Sequence, residues 1–191
     1  FDACVLYSPG LTSLAIDLAR MGLYRAKWTE RIHEEWIRAA TESFEESKSP
    51  PEMIPIAASL EKRRREMDAA VLDCLVEGYE FLESSLSLPD PRDVHVLAAA
   101  INCKASVIVT YNLEDFPSTA LAPHSIEAQH PDDFFRHQMS LDASAMIEAV
   151  KSTRQRRQHP PSTPDELLAE MRRAWGLTVT ADMLAPFVGL L

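Results

Sequence analysis

Apolar positions along this chain fall into two rhythms, short continuous runs and stretches recurring every three to four residues, and their order predicts an α/β protein. The opening run FDACVLY, closed by Ser8-Pro9-Gly10, reads as a buried strand with Asp2 inside it. Leu11, Leu14, Ala15, Leu18 and Ala19 then mark a helix to Met21, stopped by Gly22. Ala26–Trp28 predicts a second short strand, and Thr29 caps a helix over 30–44 whose buried face carries Ile32, Trp36, Ile37 and Ala40. Pro50 and Pro51 break the chain before a helix over 59–72, while 74–86, interrupted by Gly78, fits either strand or helix. Pro89 and Pro91 lead into an apolar helix over 92–104, and SVIVT at 106–110 is the clearest strand. A strand at 125–129, a helix from about Pro131 and another after Leu141 follow. The basic, proline-rich connector KSTRQRRQHPPSTP ends at a Thr163–Glu166 capping box, with a helix stopped by Gly176 and a last apolar segment.

This order predicts a three-layer α/β/α domain with a parallel central sheet over 1–158 and a small helical extension over 159–191. With 191 residues, 46% of them hydrophobic, one ordinary core can form. Cys4, Cys74 and Cys103 are odd in number and far apart, without zinc spacing, which fits reduced thiols in a cytoplasmic protein. No apolar run reaches the ~18 residues of a membrane span. The formal charge of −10 argues against broad electrostatic attraction to nucleic acid. Clustered carboxylates around a metal would inflate that number, so a basic rim can coexist with an acidic centre.

Four acidic places in separated segments carry the candidate chemistry: Asp2, the Glu34/Glu35 pair, Asp93 and Asp115. Each has an ordinary alternative. Asp93, in a first helical turn, suits dipole stabilisation or capping; Asp115 suits a turn; Glu34 and Glu35 suit a solvated helix face. Asp2 in an apolar strand is less ordinary, because a buried carboxylate is costly unless paired or ligated. If the fold gathers them, the acids form an oxygen cage for Mg²⁺ or Mn²⁺.

The segments FDACVLYSP, LPDPRDVHVLAAA and VIVTYNLEDFP, with the Glu-bearing helix between, resemble the acidic motifs of PIN domains in order and approximate spacing. The resemblance covers about residues 1–135 and is strongest to the VapC-like toxin ribonuclease branch. It implies Asp2, Glu35, Asp93 and Asp115 as the catalytic acids, with Asp2, Asp93 and Asp115 as metal ligands. Glu35 fits better than Glu34 because it directly precedes Trp36. Asp90, Thr110, Asn112 and Glu34 are outer or second-metal candidates; Asn112 stands where many relatives carry Asp, which bears on the number of metals. An RNA substrate, a cognate antitoxin and a homodimer are the implied partners.

The expected reaction is metal-dependent hydrolysis of an RNA phosphodiester by water, leaving a 5′-phosphate and a 3′-hydroxyl. Lys62, Arg63, Arg64 and Arg65 fit either phosphate contacts or ion pairs with Glu61, Glu66 and Asp68. His95, about 200° round an ideal helix from Asp93, is expected to face solvent or pack rather than join the acids. A PIN-like module that holds RNA or protein without cutting is the alternative function, and a phosphatase of small esters a third.

Overall fold

The structure, a computed structural model, describes residues 1–45, 53–157 and 160–191. The break at Pro50-Pro51 and the boundary near 158 lie outside them. The described residues are mostly helical, around one parallel pair of strands.

The opening segment is not a strand. Asp2 is extended (φ −77°, ψ 157°) and N-caps a four-residue helix, α1 (Ala3–Leu6), by accepting the Ala3 N–H. A short apolar run cannot by periodicity tell a strand from a helix, and here the capping carboxylate decides it. Asp2 still docks at the sheet, since its N–H donates to Val109 O. Ser8 then caps α2 (Pro9–Arg20), and Gly22 adopts φ +84° beyond its end.

Thr29 caps α3 (Glu30–Glu45) through the Ile32 N–H. The strand expected at 26–28 is reduced to a single parallel bridge between Trp28 and Leu75. α4 (Met53–Ala70) packs on α3, and α5 (Glu80–Glu83) follows Gly78 at φ +67°. A 3-10 turn over Pro91–Asp93 leads into α6 (Val94–Asn102). β1 (Val107–Val109) connects through a 3-10 turn at Leu113–Asp115 and α7 (Ser118–Leu121) to β2 (Glu127–Gln129). The strands pair in parallel with Ile108 opposite Ala128.

α8 (Pro131–Leu141), α9 (Ala143–Gln155), α10 (Pro164–Arg173) and α11 (Thr178–Leu184) complete the fold. The Thr163–Glu166 capping box forms as its sequence predicts. One apolar cluster runs from Val5, Leu11 and Leu14 through Phe135 and Met146 to Leu167, Met171 and Trp175, so the C-terminal helices share a core with α1 and α2. Gly10 is required there, because a Cβ at this position would strike the Trp175 ring. Asp132 accepts the Val179 and Thr180 N–H groups at 2.8 and 2.9 Å, capping α11 from α8.

A second apolar cluster, around Trp28, Ile32, Trp36 and Leu97, backs α3 and α6. A buried polar chain crosses it. The Trp36 indole donates to His33 Nδ1 at 2.9 Å, which leaves Nε2–H to donate to Asp68 at 2.8 Å. Asp68 also accepts the Trp28 indole N–H at 2.8 Å. α4 thereby fixes the rotation of α3, and with it the face that bears Glu35. Replacing Asp68 with Ala strands two buried donors and should cost ~2–4 kcal/mol in urea unfolding. A loss under ~0.5 kcal/mol would show that the chain of bonds does not hold α3.

Candidate active site

Asp2, Glu34, Glu35, Asp90, Asp93, Asn112 and Asp115 all line one cleft of about 1030 Å³, together with Cys4, Arg31, Arg38 and Arg92. Four parts of the chain converge there: the start of α1, one face of α3, the turn entering α6, and the loop after β1. Of the candidate acids none is left out.

Asp2 is the most firmly held. It is 5% exposed, and its Oδ2 accepts the Thr110 hydroxyl at 2.6 Å and the Cys4 thiol at 3.1 Å. Thr110, fully buried at the end of β1, also accepts the Asn112 N–H at 3.0 Å. One hydroxyl thus orients a carboxylate and shapes the loop carrying Asn112 and Asp115. Burial, reinforced by the Asp2 charge, pushes the Cys4 thiol up to about 12. It remains a protonated donor, which excludes a thiolate nucleophile at neutral pH.

Asp93 and Asn112 occupy capping positions without capping. Asp90, not Asp93, accepts the Arg92 N–H at the 3-10 turn, and neither Asp93 nor Asn112 makes a side-chain cap bond. The capping role open to Asp93 in the sequence is therefore not the one it plays, and its side chain is left to the cleft. Burial, then repulsion from Asp2, Asp90 and Asp115, raises its carboxyl to about 6, against a smaller opposing influence of His95. Asp90 is offset by Arg92, which holds its carboxyl below the usual range.

Glu35 and Glu34 differ as their neighbours suggest: Glu35 is half-buried and Glu34 exposed. Glu35 Oε1 lies 2.9 Å from His95 Nε2 and 3.6 Å from Arg31 Nε. His95 is the residue that the sequence hid. The helical-wheel argument treats Asp93 as part of the helix, whereas Asp93 ends a 3-10 turn and α6 begins only at Val94. Its placement within the apolar run VHVLAAA was the available signal.

The basic run does not line the cleft. Arg63 donates to Tyr7 O, Leu6 O and Thr12 Oγ1 and stacks 4.5 Å over the Trp36 ring, joining α1 and α2 to α3. Arg64 pairs with Glu30 and Glu61, and Lys62 lies 3.6 Å from Glu66, while Arg65 is exposed. The cations at the cleft are Arg31, Arg38 and Arg92 instead.

The donor set is one of hard oxygens, which suits Mg²⁺ or Mn²⁺. The raised Asp93 carboxyl reflects burial first and negative potential second, and a cation would relieve the second. The side chains are spread around the cleft: among the described residues, no three His, Cys, Asp or Glu side chains stand close enough together to hold an ion.

A carboxyl raised above its unfolded value near 4 favours folding while protonated, and this contribution is lost as pH rises through about 6. Asp93→Asn should therefore be more heat-stable than the parent at pH 7.5 without divalent metal, the gap closing as pH falls towards 4. Differential scanning fluorimetry across this range measures it. A pH-independent gap would show that Asp93 carries no such strain.

Two comparisons with known proteins each bear on part of the chain. Residues 131–186 match the model of the VapC50 C-terminal domain, which places α8–α11 within it and leaves the acidic cleft outside it. A Mycobacterium tuberculosis (strain H37Rv) protein named "Putative ribonuclease VapC50" is 46% identical over 77 residues, 40% of this chain and 46% of that protein. The match thus spans less than half of the relative's length. No solved structure matches the chain. Among the described residues no helix is long and apolar enough to cross a membrane. Acidic motifs thus converge on one cleft, and the helices behind them are similar to the VapC50 C-terminal domain, a likeness that supports kinship with VapC-like proteins over part of the chain.

Proposed function

We propose that the acidic cleft is the active site of a divalent-metal-dependent endoribonuclease, the toxin of a toxin–antitoxin pair. The observation that carries this reading is the convergence of Asp2, Asp93 and Asp115, from three separate segments, on one cleft where burial first, and then the charges of Asp2, Asp90 and Asp115, raise Asp93 to about 6. The relative named as a ribonuclease supports it. On this reading β1 and β2 belong to the central sheet of a three-layer α/β/α PIN-like fold.

Asp2, Asp93 and Asp115 would hold Mg²⁺ or Mn²⁺, with the neutral Asn112 amide as a further oxygen donor. The ion would supply an acidified water and neutralise charge on the scissile phosphate. The chain's own contributions are separate. Thr110 and Cys4 fix the Asp2 carboxylate, and burial of Asp2 excludes water from one side of it. Arg31 and Arg38, one on each side of Glu34 and Glu35 along α3, and Arg92 opposite, offer donors for neighbouring phosphates. Cleavage would leave a 5′-phosphate and a 3′-hydroxyl.

A non-cleaving RNA- or protein-binding module is the second reading. It is favoured by the spread of the carboxylates and by Glu35 standing against His95 and Arg31. By family analogy an antitoxin would restrain the nuclease in the cytoplasm.

Incubation of the protein with mixed RNA in Mn²⁺ separates the readings. Cleavage abolished by EDTA and reduced at least ~100-fold by Asp93→Asn is expected, since removal of a group that stabilises the transition state costs about this much. RNA bound but uncut in Mg²⁺, Mn²⁺ and Co²⁺ would select the binding module.

A further inference from the structure

α6 is apolar along VHVLAAA, and every residue of this run is buried. His95 is the polar side chain within it, with no exposed surface. A buried imidazole without a partner is less favourable than an apolar side chain of the same shape, so its presence calls for an interaction. Its Nε2 stands 2.9 Å from Glu35 Oε1, though off the line of a well-formed hydrogen bond, and neither ring nitrogen has another partner among the described residues. Arg31 approaches the same Glu35 oxygen from its own helix at 3.6 Å, but it is 42% exposed and is shared with Glu83. Of the two neighbours, only His95 is fixed by packing on all sides.

We propose that His95 is the positioning residue for Glu35: an Nε2–H donor anchored inside α6 that sets where the Glu35 carboxylate stands in the cleft. α6 then has two tasks. Its entry turn presents Asp93, and its interior orients the acid offered by α3, so the spacing between these carboxylates is set by one helix. Groups that orient metal-site carboxylates typically contribute 10–100-fold to metal affinity or activity, and His95 is assigned to that range. This inference rests on the proposed reading that Glu35 belongs to the metal-dependent site.

The test uses His95→Leu, which keeps the site packed, and His95→Gln, which restores an N–H at similar reach, each with and without Glu35→Ala. Mn²⁺ affinity, from electron paramagnetic resonance of free Mn²⁺, and kcat and KM for RNA cleavage are measured for all. His95→Leu should weaken Mn²⁺ binding and lower kcat about 10- to 100-fold with KM little changed. His95→Gln should recover most of both, and His95→Leu should do nothing further once Glu35 is Ala. Equal losses in the two Glu35 backgrounds, or wild-type affinity and kcat in folded His95→Leu, would overturn the proposal. Urea unfolding of the parent, His95→Leu, Glu35→Ala and their double variant reads the contact without any activity. If the parent neither binds Mn²⁺ nor cuts, the nuclease reading fails; absence of coupling between His95 and Glu35 in unfolding is what sinks the positioning role.

Discussion

Carboxylates that share a cleft repel one another, and something other than their own chemistry must keep them there. Three acids of this cleft are each kept by a different device. Asp2 is bound by Thr110, Cys4 and the Ala3 N–H, and Asp90 by Arg92. Glu35 stands between Arg31 and His95. The Asp93 carboxylate has no hydrogen-bond partner among the described residues, and it is the one whose proton affinity rises. The strain of the arrangement is thus concentrated on a single side chain, at the point where a cation would remove it.

The rest of the fold serves that arrangement. Thr110 directly follows β1, so the strand that the sequence marks most clearly delivers the hydroxyl that holds Asp2. α3 is fixed from behind by the Trp28–Asp68–His33–Trp36 chain and by Arg63 over Trp36, which sets the face bearing Glu35. The C-terminal helices act at longer range. Arg156 pairs with the buried Asp17 of α2, and Trp175 fills the space above Gly10. The segment that matches the VapC50 C-terminal domain therefore supports the helix that follows α1, without supplying an acid to the cleft.

Much of this was legible in the sequence where a local rule had no competitor. Thr29, the Thr163–Glu166 box, Gly22, Gly176 and the strand SVIVT each carry a signal that depends on a few neighbours, and each forms as expected. Asp2 shows the opposite case. Its unusual burial was visible, but whether the run after it is strand or helix depended on a cap and on docking to Val109, which periodicity does not encode. The basic run at 62–65 was ambiguous for the same reason. Arg63 turns inward because the carbonyls ending α1 and the Trp36 ring lie beneath it, a fact of tertiary packing. His95 packs, one of the two roles the sequence left open, but its place beside Glu35 of α3 is a tertiary contact that a helical wheel of α6 does not encode.

The central claim is that these carboxylates act on one another through one cleft. Carboxyl-carbon NMR titration of Asp93, in the parent and in Asp2→Asn without divalent metal, reads this directly. The account predicts a midpoint near 6 in the parent and a lower one in Asp2→Asn, with Mg²⁺ depressing the parent value further. A parent midpoint near the ordinary ~4 of an aspartate, or one unmoved by the loss of the Asp2 charge, would contradict it.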